Sequence, residues 1–197
     1  MPETPPPLLP RTALRETAGR APDAQGDAVA IRLLAPRARF SLRLDPSRLS
    51  RAKGSAGFAL DLPINRCQAV GGRAAMRLGP DEWLLCGPQG EAAQIAADVE
   101  AALAGLHHAL VDVGHARIAL SVSGPRAADA INSGCALDLL PAAFPAGTAT
   151  RTLLGKAEIT LARWDAAPVF EIECGRSFAA YVRDFLHDAA RQYRTEG

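Results

Sequence analysis

The chain has 197 residues, 48% of them hydrophobic and 22% charged; this excludes wholesale disorder and allows one large domain, or two small packed ones, to bury roughly 70% of the unfolded surface. With 22 basic against 21 acidic residues the formal net charge is +1, so no long-range field steers the chain onto nucleic acid or an anionic membrane, and neither is expected as a partner. Aromatic residues are only 5%, which leaves Leu, Val, Ile and Ala to fill most of a core.

Residues 1–26 are rich in Pro, Ala, Thr and Arg, with Pro5, Pro6, Pro7 and Pro10 removing backbone donors, and are expected to form an extended or disordered arm. A free tail and a strap along a partner are its two competing roles. From Ile31 to Leu44 the text alternates, Phe40, Leu42 and Leu44 on one face and Arg39, Ser41 and Arg43 on the other, predicting a half-buried antiparallel strand. Lys53 to Gly57 is a loop, and Phe58 to Leu62 resumes strand character before Pro63. Arg73 to Leu78 and Glu82 to Cys86 flank Gly79-Pro80-Asp81, where proline presets φ for a hairpin turn. Trp83, on the second of these strands, is expected in the core.

Glu91 to Leu106 sets Ile95, Val99, Ala102, Leu103 and Leu106 on one helical stripe. Strands follow at Leu110 to Val113 and Arg117 to Ser123, then a short helix from Gly124-Pro125 through Ile131, closed by Gly134. A Pro-, Gly- and Ala-containing connection spans Cys135 to Ala149, and strands follow near Arg151 to Leu154, Ala157 to Arg163 and Val169 to Cys174. The last helix is capped by Ser177, with Phe178, Tyr181, Val182, Phe185, Leu186 and Ala189 on its apolar stripe. Strands and helices thus alternate twice, predicting an α+β protein of two interlocked ferredoxin-like units with antiparallel sheets, 27–114 and 115–197, packed as one body.

Chemistry-bearing patterns are sparse. Cys67, Cys86, Cys135 and Cys174 lie far apart without a CxxC, which predicts reduced, buried thiols in the cytosol. Neither a secretory leader nor an apolar run long enough to cross a bilayer is evident, and a cytoplasmic location is expected. Neither Gly54-Ser55-Ala56-Gly57 nor Gly71-Gly72 fits a phosphate-cradling loop. His107, His108, Asp112 and His115 form the one cluster of metal-capable residues, in a spacing that matches no known ligand pattern. No GxSxG elbow occurs, and no cysteine lies near a histidine in sequence. No catalytic, cofactor-binding or metal-binding residue is therefore assigned.

Two stretches carry a family resemblance: Arg77-Leu-Gly-Pro-Asp-Glu-Trp-Leu-Leu85, and GPRAADAINSGCALDLLPAAFPAGTATRTLLGKAEITL from Gly124 to Leu161. With Arg176-Ser-Phe-Ala-Ala-Tyr181 they resemble the gamma subunit of heterotetrameric sarcosine oxidase, over most of the chain from about Ile31 onward. The resemblance implies a fold like the folate-binding domain of the glycine-cleavage T-protein and its aminomethyltransferase relatives. It implies a complex that demethylates sarcosine oxidatively to glycine, reduces oxygen to hydrogen peroxide and passes the one-carbon unit to tetrahydrofolate as 5,10-methylenetetrahydrofolate. FAD, FMN, NAD, tetrahydrofolate and zinc are implied on the other subunits, and this chain is implied to be a non-catalytic partner docked on the alpha subunit, with beta and delta subunits completing the complex. The rival expectation is a free-standing folate-binding or aminomethyltransferase-like protein. Candidate partner-facing residues are Phe144, Trp164, Arg66, Arg151 and Arg176, since interface energy concentrates in aromatics and arginines.

Overall fold

The computed structural model describes residues 28–52 and 54–193; the arm expected over 1–26 lies outside them. Among the described residues the strands are β1 (Ala30–Leu33), β2 (Arg37–Leu44), β3 (Arg66–Val70), β4 (Arg73–Arg77), β5 (Glu82–Pro88), β6 (His108–Asp112), β7 (Arg117–Ser123), β8 (Thr148–Leu154), β9 (Ala157–Arg163) and β10 (Val169–Gly175), and the helices are α1 (Ala92–Ala102), α2 (Ala127–Asn132) and α3 (Ala179–Arg191). The strands form one antiparallel sheet in the order β1-β7-β10-β9-β8-β3-β4-β5-β2-β6. Its weakest link is central. β3 and β8 share only the Arg66–Thr148 pair, supported by Cys67 N–H on Gly147 O at 2.9 Å and Ala149 N–H on Asn65 O at 3.1 Å.

That link divides the sheet into two five-stranded halves, and the expected α+β class with two interlocked antiparallel units is what the structure shows. The boundary expected at 114/115 needs one correction. β1 pairs with β7 in the second half, whereas β2 pairs with β5 and β6 in the first. The single strand expected over Ile31–Leu44 is therefore two strands at opposite ends of the sheet, broken around Pro36, which cannot donate to a ladder.

Each half covers its outer face with helix. In the first, Ile95, Val99 and Leu103, at i, i+4 and i+8, bury against Phe40, Leu42, Ala75, Trp83 and Leu85. In the second, α2 and α3 bury Ile131, Val182 and Leu186 against Leu120, Val122, Ile159, Leu161, Phe170 and Ile172. Trp83 lies in the core as expected, its indole N–H donating to Leu60 O at 3.1 Å.

Three local expectations change. Phe58 to Leu62 forms no strand; Phe58 and Leu60 are buried from an irregular segment instead. β3 is a strand that periodicity misses, because only Cys67 in it is buried; the signal lay in Gly71-Gly72, both at positive φ (56° and 85°), a pair suited to a tight hairpin turn. In α3 the buried stripe is Ala179, Val182, Leu186 and Ala190. Phe178 and Tyr181, expected in the core, are 43% and 37% exposed, and Ser177 belongs to a 3₁₀ turn and makes no cap.

The aromatics of α3 lie across two glycines. A Cβ on Gly134 would come within 2.3 Å of Phe185 Cζ, and one on Gly155, at φ +56°, within 2.3 Å of the Tyr181 hydroxyl. Gly134→Ala is therefore expected to destabilise by about 1–3 kcal/mol through overpacking. Urea unfolding should show that loss, with part of it recovered when Phe185→Leu is added.

Candidate functional site

The inward-facing side chains of the two halves meet. β2 and β10 stand six places apart in the strand order, roughly 29 Å at the usual interstrand spacing in a flat sheet, yet Arg39 Nε lies 2.9 Å from Glu173 Oε1. The sheet therefore folds over on itself. Alternation places Arg37 and Arg39 on the inner face of β2, and Glu171 and Glu173 on that of β10. Arg37 Nη2 reaches both carboxylates, bonding Glu171 Oε1 and lying 2.6 Å from Glu173 Oε1. Arg117 on β7 adds a third guanidinium, its Nε 3.6 Å from Glu173 Oε2 and its Nη2 donating to Thr160 Oγ1 at 3.0 Å.

This cluster corrects the expectation that the Arg39 face of the strand is solvated: Arg39 and Glu173 are 2% and 1% exposed. Desolvation opposes ionisation of Glu173, but Arg39 and Arg37 outweigh it through charge and hydrogen bonding and hold the carboxyl below its ordinary range. Among the described residues, Arg37 Nε, Arg117 Nε and Glu173 Oε2 find no hydrogen-bond partner.

A second ion cluster also bridges the halves. Glu82 of β5 receives both terminal nitrogens of Arg151 from β8 and lies 2.8 Å from Arg43 Nη2. The Arg151 hydrogen bonds, aided by the charges of Arg151 and Arg43, lower the Glu82 carboxyl below its usual range, and Glu82 raises Arg151 in turn. Between the clusters Cys67, Met76, Leu84, Cys86, Ala149 and Ala162 pack as an apolar layer. Burial pushes the thiols of Cys67 and Cys86 up to about 12 and that of Cys174 to about 11, so these are inert packing groups rather than nucleophiles.

The partner-facing candidates scatter. Phe144 is 4% exposed, its ring 6.3 Å from that of Phe170, and is corrected from surface anchor to core residue. Trp164 is half-buried, donating to Glu171 Oε2 at 3.0 Å as the rim of the first cluster. Arg151 is committed to Glu82 within the chain. Arg66 is exposed and donates to Thr148 Oγ1 at 3.0 Å across the β3–β8 link, and Arg176 is exposed beside Phe178.

The histidines do not converge either. His108 bonds Leu106 O at 2.9 Å and Glu100 Oε2 at 3.1 Å, while Asp112 accepts from Gly114 N–H at 2.8 Å. Among the described residues no three metal-capable side chains assemble. His107 and His108 instead line an open cleft of ≈ 490 Å³ with Arg43, Asp45, Arg48 and Asp81, whose charges pair as Arg43–Asp81 at 2.9 Å and Arg48–Asp45 at 3.3 Å.

Sequence reading left Arg37, Arg117, Glu171 and Glu173 unmarked. The signal was there as rows of opposite sign, Arg37-x-Arg39 and Glu171-x-Glu173, each at the period of a strand.

The fold class so described is shared with a solved aminomethyltransferase T of the glycine cleavage system from Bartonella henselae, at TM-score 0.58 and 15% identity, over 81% of this chain and 45% of that one. A closer likeness is a chain of heterotetrameric sarcosine oxidase from Corynebacterium sp. U-96, solved with pyrrole 2-carboxylate, at TM-score 0.74 and 25% identity over 87% of this chain and 89% of that one. The sarcosine oxidase gamma subunit family model matches residues 45–192. Sarcosine oxidase subunit gamma of an Arthrobacter species is 32% identical over 69% of this chain and 68% of its own length. That of Corynebacterium sp. strain P-1 is also 32% identical, over 65% and 62%. The chain belongs to the sarcosine oxidase gamma subunit family.

The motifs behind the resemblance meet in space. Glu82 of the first stretch pairs with Arg151 of the second, and the Tyr181 hydroxyl accepts from Lys156 N–H at 3.1 Å.

Removing one partner of a buried pair leaves the other charge uncompensated, so Glu173→Ala is expected to cost about 3–5 kcal/mol in urea unfolding, and Glu173→Gln distinctly less. Stability should also depend on pH. Glu173 and Glu82 titrate lower when folded than when unfolded, so their contribution is complete above the unfolded value of about 4.3 and is lost as pH falls through the folded values. The urea midpoint should hold level from neutrality to about pH 5 and then drop, with a shallower drop in Glu173→Gln.

Proposed function

We propose that this chain is the non-catalytic gamma subunit of a heterotetrameric sarcosine oxidase and serves its assembly and stability. The observation that carries this reading is the extent of the match: the fold covers 89% of one chain of a heterotetrameric sarcosine oxidase, leaving little of that relative to hold a separate catalytic module.

The interior is consistent with such a role. Its convergent charged groups, Arg39, Glu173, Glu82 and Arg151, bond one another, and three of its thiols are raised far above neutrality. A ligand between the halves would have to break those pairs, which supports a reading in which this chain holds no folate. In this reading the alpha subunit is the direct partner, beta and delta complete the assembly, and FAD, FMN, NAD, tetrahydrofolate and zinc reside on those chains. Sarcosine demethylation, peroxide formation and 5,10-methylenetetrahydrofolate synthesis belong to the whole complex, in the cytoplasm. Among the described residues no helix is long and apolar enough to cross a membrane.

Co-expression with an alpha subunit is expected to give a co-purifying complex, and the isolated chain to show neither sarcosine-dependent peroxide formation nor saturable heat on titration with tetrahydrofolate. A well-folded chain that never joins the flavoprotein would refute the assembly role. Saturable folate binding by the chain alone would favour the free-standing folate-binding alternative.

A further inference from the structure

Phe178 and Tyr181 stand one turn apart at the start of α3 and remain 43% and 37% exposed, although a phenyl ring normally seeks the core. They are held from beneath. The Tyr181 hydroxyl accepts from Lys156 N–H at 3.1 Å in the turn between β8 and β9, where Gly155 leaves no room for a Cβ below that hydroxyl. Phe185, one turn further on, closes over Gly134 with its ring 6.2 Å from that of Tyr181. Aromatic side chains fixed in this way lose little freedom when a partner covers them.

Two cations adjoin the rings. Arg176 lies in the same 3₁₀ turn as Phe178. β10 pairs with β9 as far as Cys174–Ile159, and carrying that antiparallel register on brings Arg176 level with Ala157, the residue after Lys156. Arg176 and Lys156 are exposed, and among the described residues neither side chain makes an ion pair. The acids of the adjoining segments are turned to other cations. Asp184 lies 2.8 Å from Arg183 Nη2, and Glu158, on the same side of β9 as Thr160, exerts its charge on Arg151.

We propose that Phe178, Tyr181, Arg176 and Lys156 form the surface on which another oxidase subunit docks, an apolar side chain of that subunit resting on the rings and neighbouring carboxylates pairing with the cations. Charge decides the occupant: two unpaired cations beside aromatic rings favour an acidic segment and repel a basic one. Aromatic residues and arginine are also the types in which binding energy concentrates. Such docking rests on the assembly role proposed above, with the alpha subunit as the partner.

The complex of the full chain with an alpha subunit tests it. A photo-crosslinking amino acid, p-benzoylphenylalanine, placed at Phe178 is expected to capture an alpha-subunit peptide that contains Asp or Glu, identified by mass spectrometry. Phe178→Ala and Arg176→Glu should each weaken the complex about tenfold, with a nearly unchanged urea midpoint to report intact folding. Arg51→Glu, which makes the same change in net charge at an exposed position of the first half, should leave the affinity as it was. Added salt should weaken the wild-type complex more than that of Arg176→Glu. A complex equally strong in Phe178→Ala and Arg176→Glu, or a capture of basic peptides, would overturn this docking surface and leave the assembly role standing, whereas a wild-type chain that never binds the alpha subunit would refute both.

Discussion

Glu173 can be kept ionised inside this protein only if the sheet folds over. Its carboxylate belongs to one half and the guanidinium of Arg39 to the other, and each is almost wholly removed from water. Taking either charge out of solvent alone would cost several kcal/mol, so each is tolerable only in the presence of the other. The pair thus acts less as a source of net stability than as a constraint on geometry: β2 must lie over β10. The Glu82–Arg151 bridge imposes the same condition on β5 and β8, and the apolar layer of Met76, Leu84, Cys86 and Ala162 fills the space between.

That arrangement explains why the hydrogen-bonded link between the halves can be so slight. β3 and β8 share one registered pair, too little to fix the angle between two five-stranded sheets. The inner charges do so instead, and the helices are left to cover the outer faces. Residues of the family motifs contribute directly, Glu82 with Arg151 across the halves and Tyr181 with the backbone of Lys156 within the second half, so what reads as a signature along the chain is in space a set of ties holding the body together.

An interior closed by its own ion pairs leaves the outer surface as the place where such a protein acts. The proposed accessory role fits this division: Arg39, Glu173, Glu82 and Arg151 are paired within the chain, while the half-exposed Phe178 and the exposed Arg176 remain outward. Phe144 illustrates the converse. A lone aromatic in a proline-rich connection suggests an anchor, but its ring completes the core of the second half against Phe170.

Where local periodicity carries the information, the sequence by itself determined the outcome: the β4–β5 hairpin, α1, the existence of α3, the α+β class, the burial of Trp83 and the family. It could not determine partners that lie far apart along the chain. Alternation in β2 separated Phe40, Leu42 and Leu44 from Arg39, Ser41 and Arg43, but the same pattern serves a strand whose polar face meets water and one whose polar face meets Glu173. Only the tertiary structure decided between them. The pairing of Arg39 with Glu173 spans 134 residues, and no local propensity reports what a face will meet once the sheet has folded over. The separation of β1 from β2 has the same origin, since Pro36 marks a break without saying which edge each fragment will join.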